Sequence, residues 1–383
     1  MILPDAMLGM LGGGQLGRMF TLAAHGMGYR VTVLDPDPQS PAGSIADVHI
    51  KAAYQDREAL QQLADACDAV TTEFENVPAD SLRWLAAHGP VSPAGDSVAV
   101  AQDRIREKNF LTKHGFGTAP FAVIESEADF DRADAALFPG VLKRARFGYD
   151  GKGQARIGNA AEAKTAFRKM GGEPCVLEKL VALAKELSVV VARGADGKSV
   201  AFPVAENEHV DGILDVSIVP ARVPPELARE AERRALGVAE QLGYVGVLAV
   251  EFFVLADGTL VANEIAPRPH NSGHYTIDAC ATSQFEQQAR AMCGLPFGAT
   301  RLLSPVVMVN LLGDLWASGA PPWQDVFTSP DAKLHLYGKH EARPGRKMGH
   351  YTVLGASADA ALASALAIRA KLQPAVTRAA ANG

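Results

Sequence analysis

Apolar and polar positions keep two rhythms over the first hundred residues. Short apolar runs at 7–11 (MLGML), 30–34 (RVTVL) and 69–72 (AVTT) read as buried strands. The segments between and after them, at 15–26, 56–66 and 78–88, carry apolar residues at helical spacing. Strands alternating with helices predict a parallel sheet with helices on its faces. From about residue 103 the pattern changes. A charged helix, DRIREKNFLTKHG, leads to a strand at 121–124, a helix near 128–136 and a strand at 140–145. A glycine-rich loop, RFGYDGKGQ, spans 146–154, and a strand follows it. Further strands are expected at 175–179 and 187–193, and a long helix at 225–242. Strands at 245–255 and 259–265 flank Ala256-Asp257-Gly258, a strong hairpin signal. A third region begins near Leu295-Pro296, with a strand at 306–312 and an alternating segment around 335–351. The Ala-rich end, 356–383, reads as one surface helix and a loose tail.

The chain's 383 residues suit two or three domains and need no disulfide or metal to fold. With 48% hydrophobic and 21% charged residues, a disordered chain is excluded. The net charge of −6 argues against a general nucleic-acid binder, while leaving room for local basic pockets that take small phosphates. Cys67, Cys175, Cys280 and Cys293 form no CxxC pair, which favours buried thiols in a reducing cytosol over a disulfide framework or zinc site. The N-terminus lacks the pattern of a secretory signal, and no stretch approaches 18 uninterrupted apolar residues. The expectation is a cytoplasmic protein with no membrane partner.

Candidate chemistry gathers at four places. Gly12 to Gly17 contains GxGxxG between a strand and a helix, and Asp35 closes the next strand. Such a loop serves a dinucleotide, another phosphorylated or sugar ligand, or a tight turn alone. The second loop, Gly148-Tyr149-Asp150-Gly151-Lys152-Gly153-Gln154, follows a strand carrying Lys143. It is no P-loop, but its backbone N–H groups and its lysine suit a triphosphate lid, or else a polar hairpin tip. Glu178-Lys179-Leu180-Val181 and then Glu186 offer a strand edge for a flat base and a carboxylate for ribose hydroxyls; salt bridges on strands explain them equally well. The sharpest pair is Glu251 and Glu264, on the two arms of the expected hairpin. Like charges on adjacent strands repel, so a cation between them is the natural account, and hard oxygen ligands beside a triphosphate suit Mg²⁺. The run Pro267-Arg268-Pro269-His270-Asn271-Ser272-Gly273-His274 follows directly.

Together these residues resemble the ATP-grasp superfamily and, within it, the N5-carboxyaminoimidazole ribonucleotide synthases of purine biosynthesis. The resemblance runs in order through GGGQLGRM, TTEFENVP, KRARFGYDGKGQ, ENEHVDGIL, NEIAPRPHNSGHYT and HLYGKHEARPGRKMGH, and the last two are the most specific. It implies an α/β and α+β chain of ATP-grasp architecture. The expected units are an N-terminal Rossmann-like parallel-sheet domain (1–101), a two-part ATP-grasp domain (102–298, smaller lid about 116–182) and a small C-terminal domain (299–383). Arg104, Lys143, the loop 148–154, Glu178, Lys179, Leu180, Val181, Glu186, His209 and Asn263 match ATP-contacting positions, and Glu251 and Glu264 match Mg²⁺ ligands. Gln15, Leu16, Glu73, Tyr149, Asp150, Arg268, His270, Asn271, Ser272, Lys339, Arg346 and Lys347 match positions of the substrate pocket. Ala266 stands where many ATP-grasp enzymes carry a metal-binding Asn, a substitution shared by this subfamily.

The implied reaction is ATP- and bicarbonate-dependent carboxylation of 5-aminoimidazole ribonucleotide through carboxyphosphate. Arg268, Asp150 and Lys143 are the expected catalytic residues, and a homodimer is the implied assembly. Two rivals fit less: an NAD-dependent dehydrogenase leaves Glu251, Glu264 and the second loop unexplained, and a nucleotide sensor would need a lost metal ligand. Another ATP-grasp carboxylate–amine ligase is the third alternative.

Overall fold

The computed structural model describes residues 1–146, 148 and 153–372. Met7–Leu11 (β1), Gln15–Gly26 (α1), Arg30–Leu34 (β2), Val48–Ile50 (β3), Arg57–Ala66 (α2), Ala69–Thr72 (β4), Ala79–Ala86 (α3) and Gly95–Ala101 (α4) build the first unit. Its sheet is parallel, in the order β3-β2-β1-β4. The helix starts follow local chemistry: the Asp56 carboxylate accepts the N–H groups of Glu58 (3.0 Å) and Ala59 (3.2 Å), satisfying donors that α2 itself leaves open.

Arg104–Lys113 (α5), capped by Asp103, leads into the second sheet. Phe121–Ile124 (β5), Asp129–Arg132 (α6), Gly140–Arg144 (β6), Gln154–Ile157 (β7), Ala160–Lys169 (α7) and Cys175–Lys179 (β8) form a small lid with antiparallel order β5-β8-β6-β7. Helix α7 has a reciprocal cap between Asn159 and Glu162, a local signal that the hydrophobic pattern alone did not single out.

The remaining elements are Leu183–Arg193 (β9), Ser199–Ala201 (β10), Ala205–Val210 (β11), Ile213–Val219 (β12), Pro225–Gln241 (α8), Gly246–Leu255 (β13), Leu260–Ala266 (β14), Thr276–Ala279 (α9), Gln284–Met292 (α10), Val306–Leu312 (β15), Gln324–Phe327 (α11), Ala332–Leu336 (β16), Lys347–Leu354 (β17) and Ala358–Leu372 (α12). One nine-stranded sheet joins them in the order β14-β13-β9-β11-β12-β15-β17-β16, with β10 on β9. The third region is therefore continuous with the second through the β12–β15 pairing. Helix α12 is more than a surface helix: Ala361, Ala365, Ile368 and Leu372 are buried in the core that also holds Val307, Val309 and Tyr351. The residues that follow it, read above as a loose tail, lie outside the described residues.

The expected hairpin is present. Leu255 N–H bonds to Thr259 O at 2.8 Å, and Gly258 takes φ +85°, a conformation that disfavours a side chain. In the β13–β14 register Glu251 faces Glu264 while Phe252 faces Ala262. Asn263 is thus the extra residue of a bulge, which re-aims the side chains around it. The three regions also share core. Leu16, Met19 and Phe20 of α1 pack with Phe285, Ala289 and Met292 of α10 and with Tyr337. No helix among the described residues is long and apolar enough to cross a membrane.

Where β16 and β17 meet the segment before α9, imidazoles are stacked in the interior. His335 lies on His350 with ring centroids 4.6 Å apart, and His274 lies 5.0 Å from His350. The Tyr337 hydroxyl bonds His350 Nδ1 at 2.9 Å, while Asp278 holds His335 at 2.8 Å. His274 and His350 are 0% exposed, and burial and the neighbouring imidazoles hold both well below the ordinary value of 6.5. The unfolded chain therefore binds more protons than the folded one once the pH drops through about 6.5, and stability falls with acid by up to ~1.4 kcal/mol per pH unit for each such histidine. Urea unfolding between about pH 7.5 and pH 5 should show this loss. His350→Gln is expected to flatten the slope; an unchanged slope would contradict the assignment.

Candidate active site

A cavity of about 1010 Å³ opens where all three regions meet. Its first wall is the glycine loop. The Glu73 carboxylate accepts the N–H groups of Gly14 and, at 2.7 Å, of Gly17. An internal carboxylate thus takes the α1 N-terminus, where a dinucleotide fold would bind a phosphate. A Cβ at Gly12 or Gly14 would run into the Glu73 side chain, which explains the glycines without a nucleotide. Asp35 is engaged likewise, by Gly13 N–H (2.6 Å), Asp37 N–H (2.8 Å) and the Tyr54 hydroxyl (2.6 Å). The dinucleotide reading of this loop fails on those bonds. Gln15, Leu16 and Glu73 line the cavity.

The lid supplies the second wall. Lys143, Gly148, Gln154, Glu178, Lys179, Leu180 and Val181 line it. Glu178 is buried at the end of β8 between two ammonium groups, Lys143 at 3.0 Å and Lys108 at 3.4 Å. Burial opposes its ionisation, yet the two lysines hold its carboxyl below the usual range. Gly153 is not on the wall; its carbonyl accepts Arg144 N–H at 2.9 Å. Tyr149, Asp150, Gly151 and Lys152 lie outside the described residues.

The β13–β14 hairpin carries the acidic wall. Glu251, Asn263 and Glu264 all line the cavity. Burial, and then the charge of Glu264, push the Glu251 carboxyl up to about 7. Arg104 reaches Glu264 at 3.1 Å from the first turn of α5. The Asn263 Oδ1 is buried with no hydrogen-bond partner. Two opposed carboxylates beside an orphaned amide oxygen are the donor set of a hard cation, so Mg²⁺ fits these residues. No cluster of three or more His, Cys, Asp or Glu suited to a metal occurs among the described residues, so the protein offers a pair of carboxylates rather than a cage. Next to them His209 binds Glu186 at 2.7 Å; burial opposes the charged imidazole, but Glu186 and Glu251 raise it above its ordinary value.

The PRPHNSGH run forms the basic wall. Arg268 Nε donates to Glu75, and its NH1 to Pro269 O at 3.2 Å. Burial disfavours the Glu75 anion, yet Arg268 holds its carboxyl down to about 2. His270 Nε2 meets Glu251 at 3.2 Å and its Nδ1 meets Ser272 Oγ at 2.8 Å. Burial, and then Arg268, keep this imidazole neutral. Ser272 lies behind His270, bonded to Ser188 at 2.7 Å, and is not on the wall. Asn271 lines the cavity while its amide pairs reciprocally with Asn310 at 3.0 and 2.7 Å.

From β17, Lys347 reaches the wall. Lys339 stands one layer behind, bonded to Gln15 and, at 2.7 Å, to Lys347 O. Arg346 points to Glu341 O at 2.8 Å, on the exposed rim, and does not line the cavity. Sequence reasoning missed Glu75, although it stands inside the motif TTEFENVP, and Lys108, one helical turn after Arg104.

Comparisons with known proteins place the whole chain in one family. Family models match over 6–102 (ribonucleotide synthetase preATP-grasp domain), 109–285 (ATP-grasp domain) and 306–364 (phosphoribosylaminoimidazole carboxylase C-terminal domain). The chain is 46% identical to N5-carboxyaminoimidazole ribonucleotide synthase of Bacillus subtilis over 354 residues, 92% of each chain. It is 44% identical to that of Pseudomonas aeruginosa, over 90% of this chain and 94% of the relative. The Staphylococcus aureus N5-carboxyaminoimidazole synthetase complexed with ADP superposes with a TM-score of 0.90 at 38% identity, covering 97% of this chain and 98% of that one. The Aspergillus clavatus enzyme in complex with ADP and 5-aminoimidazole ribonucleotide does so with a TM-score of 0.88 at 32% identity, covering 96% and 98%. The chain belongs to the N5-carboxyaminoimidazole ribonucleotide synthase family of ATP-grasp ligases.

Proposed function

We propose that the protein is an ATP-dependent ligase that carboxylates the exocyclic amine of 5-aminoimidazole ribonucleotide with bicarbonate, in purine biosynthesis. The observation that carries this reading is one cavity with an acidic wall at Glu251 and Glu264 and a basic wall at Arg268 and Lys347. The acidic wall suits a cation-bound triphosphate; the basic wall suits bicarbonate and the 5′-phosphate of the ribonucleotide. The partners are these small molecules, and their solubility suits a cytoplasmic enzyme.

The chemistry follows from bicarbonate's poor reactivity. Hydroxide is a bad leaving group, so an oxygen of bicarbonate attacks the γ-phosphorus, ADP departs, and carboxyphosphate forms. Its phosphate leaves readily, and the amine attacks the carbon of carboxyphosphate, or of CO₂ released from it, giving up one proton to the departing phosphate. The protein's part is positioning and charge neutralisation. Arg268 would bind bicarbonate and then carboxyphosphate through its guanidinium, with Glu75 holding its Nε. Lys143 and Arg104 offset phosphate charge, and the Leu180–Val181 edge with Glu186 receives the adenosine. Mg²⁺ held by Glu251 and Glu264 would supply charge neutralisation at the phosphate oxygens. His270, neutral and bonded to Glu251, orients that carboxylate. Lys347 would bind the substrate phosphate, with Lys339 bracing Gln15 behind it.

ADP release should require bicarbonate and rise with the ribonucleotide; release independent of both would overturn the reading. Glu264→Gln is expected to lower turnover at least about a hundred-fold and to raise the Mg²⁺ needed for half activity, since an amide binds the ion more weakly, with the melting temperature little changed because relief of the Glu251–Glu264 repulsion offsets the lost Arg104 pair. Near-normal turnover at ordinary Mg²⁺ would remove the metal assignment. Lys347→Ala should weaken ribonucleotide binding roughly ten- to a hundred-fold, as expected for a lost charge-assisted bond to phosphate. Arg346→Ala, on the rim, should cost about three-fold or less. Paired titrations of ribonucleotide and ATP decide the ranking, and the reverse order would move the phosphate seat to Arg346.

A further inference from the structure

Lys108 has no part in the chemistry above, yet it is a 0% exposed ammonium behind the wall of the proposed nucleotide site. It follows Arg104 by one turn of α5, a helix that packs on both β8 and β14. Its Nζ lies 3.4 Å from Glu178 Oε1, and neither atom makes a hydrogen bond. The other carboxylate oxygen, Oε2, accepts Lys143 Nζ at 3.0 Å. One buried carboxylate thus faces two lysines, one well bonded and one slack. The two differ in access: Lys143 lines the cavity, and Lys108 does not.

The arrangement poses a problem of charge. Lys143 has three N–H donors, and turning all of them to the phosphates of ATP requires it to leave Glu178. A buried carboxylate stripped of its partner is strongly destabilising, so without a second cation Glu178 would hold Lys143 back. We propose that Lys108 is a positioning residue: a fixed counter-ion that takes over the Glu178 carboxylate when Lys143 hands its ammonium from Glu178 to the phosphates of ATP. The inference rests on the reading of Lys143 as a phosphate ligand. Burial disfavours the Lys108 ammonium most, Glu178 opposes burial, the charge of Lys143 then disfavours it again, and Glu107 favours it. Departure of Lys143 removes a like charge and strengthens the Lys108–Glu178 pair at the moment it is needed.

Calorimetric titration with ATP, in the absence of bicarbonate and ribonucleotide, tests the handover. Lys108→Met should weaken ATP binding about ten-fold or more, because Lys143 becomes the only direct ion-pair partner of Glu178 among the described residues, while ribonucleotide affinity stays within about two-fold. Adding Glu178→Gln to Lys108→Met should recover part of the loss, since a neutral amide does not retain Lys143. Wild-type ATP affinity in folded Lys108→Met, or no recovery in the double variant, would overturn the proposal. Lys143→Met separates the underlying reading: unchanged ATP affinity there would remove Lys143 as phosphate ligand and the handover with it. If Lys108→Met does not fold, the wild-type complex with ATP decides. Lys143 should have left Glu178, and the Lys108–Glu178 distance should have closed from 3.4 Å to hydrogen-bond length. Lys143 still bonded to Glu178 beside bound ATP would contradict the proposal.

Discussion

Glu251 and Glu264 face each other across a bulged hairpin, and this repulsion organises the charge around the site. A like-charged pair on adjacent strands persists only if neighbours offset it. Arg104 does so for Glu264, and His209 of β11 and Lys347 of β17 do so for Glu251, while neutral His270 only orients it. The same logic extends outward. Arg268 is matched by Glu75, and Lys143 by Glu178. The protein therefore assembles its reactive groups as internal ion pairs. In the proposed reaction Arg268 keeps Glu75 while it binds bicarbonate, and only Lys143 exchanges a seated carboxylate for a phosphate. Internal pairing keeps the site folded without ligands and sets each guanidinium and ammonium near its working direction.

The first glycine loop shows how one physical need is met in two ways. The N-terminus of α1 presents open N–H groups, and a dinucleotide phosphate is one partner for them. Here Glu73 fills the place from β4's far end, and Gly12 and Gly14 are small because that carboxylate must approach. The loop then serves the cavity through Gln15 and Leu16 side chains, and Lys339 ties Gln15 to the last strands. A fingerprint that resembles NAD binding thus becomes a joint between the first and third regions.

Much of this was legible in the sequence where the determinant is local. The parallel sheet followed from its alternating rhythm, and the hairpin from its Asp-Gly turn. With the turn placed, Glu251 and Glu264 had to be near neighbours. The bulge at Asn263 had no such signal, nor did the strands β10 to β12, whose polar residues obscure their alternation. What stayed hidden was pairing across long stretches of chain. Glu75 was inside a quoted motif, but its partner Arg268 is 193 residues away. Lys108 is one of several charges along a charged helix, and only the fold sets β8 against it. Likewise, an apolar strand at 306–312 does not reveal which strand it will join, and so the continuity of the large sheet came only with the structure. Arg346 and Lys347 are adjacent in sequence and opposite in direction, and only the β17 pairing separates wall from rim.

In the proposed reaction the γ-phosphate of ATP passes to an oxygen of bicarbonate before the carbon–nitrogen bond forms. Isotope transfer tests it directly. When the protein turns over ¹⁸O-labelled bicarbonate with ATP and 5-aminoimidazole ribonucleotide, the oxygen bridging carbon and phosphorus must leave with phosphate. The account expects inorganic phosphate to gain a single ¹⁸O per turnover, read by mass spectrometry or by the isotope shift in ³¹P resonance. Phosphate carrying no label from bicarbonate, with carboxylated product still formed, would contradict it.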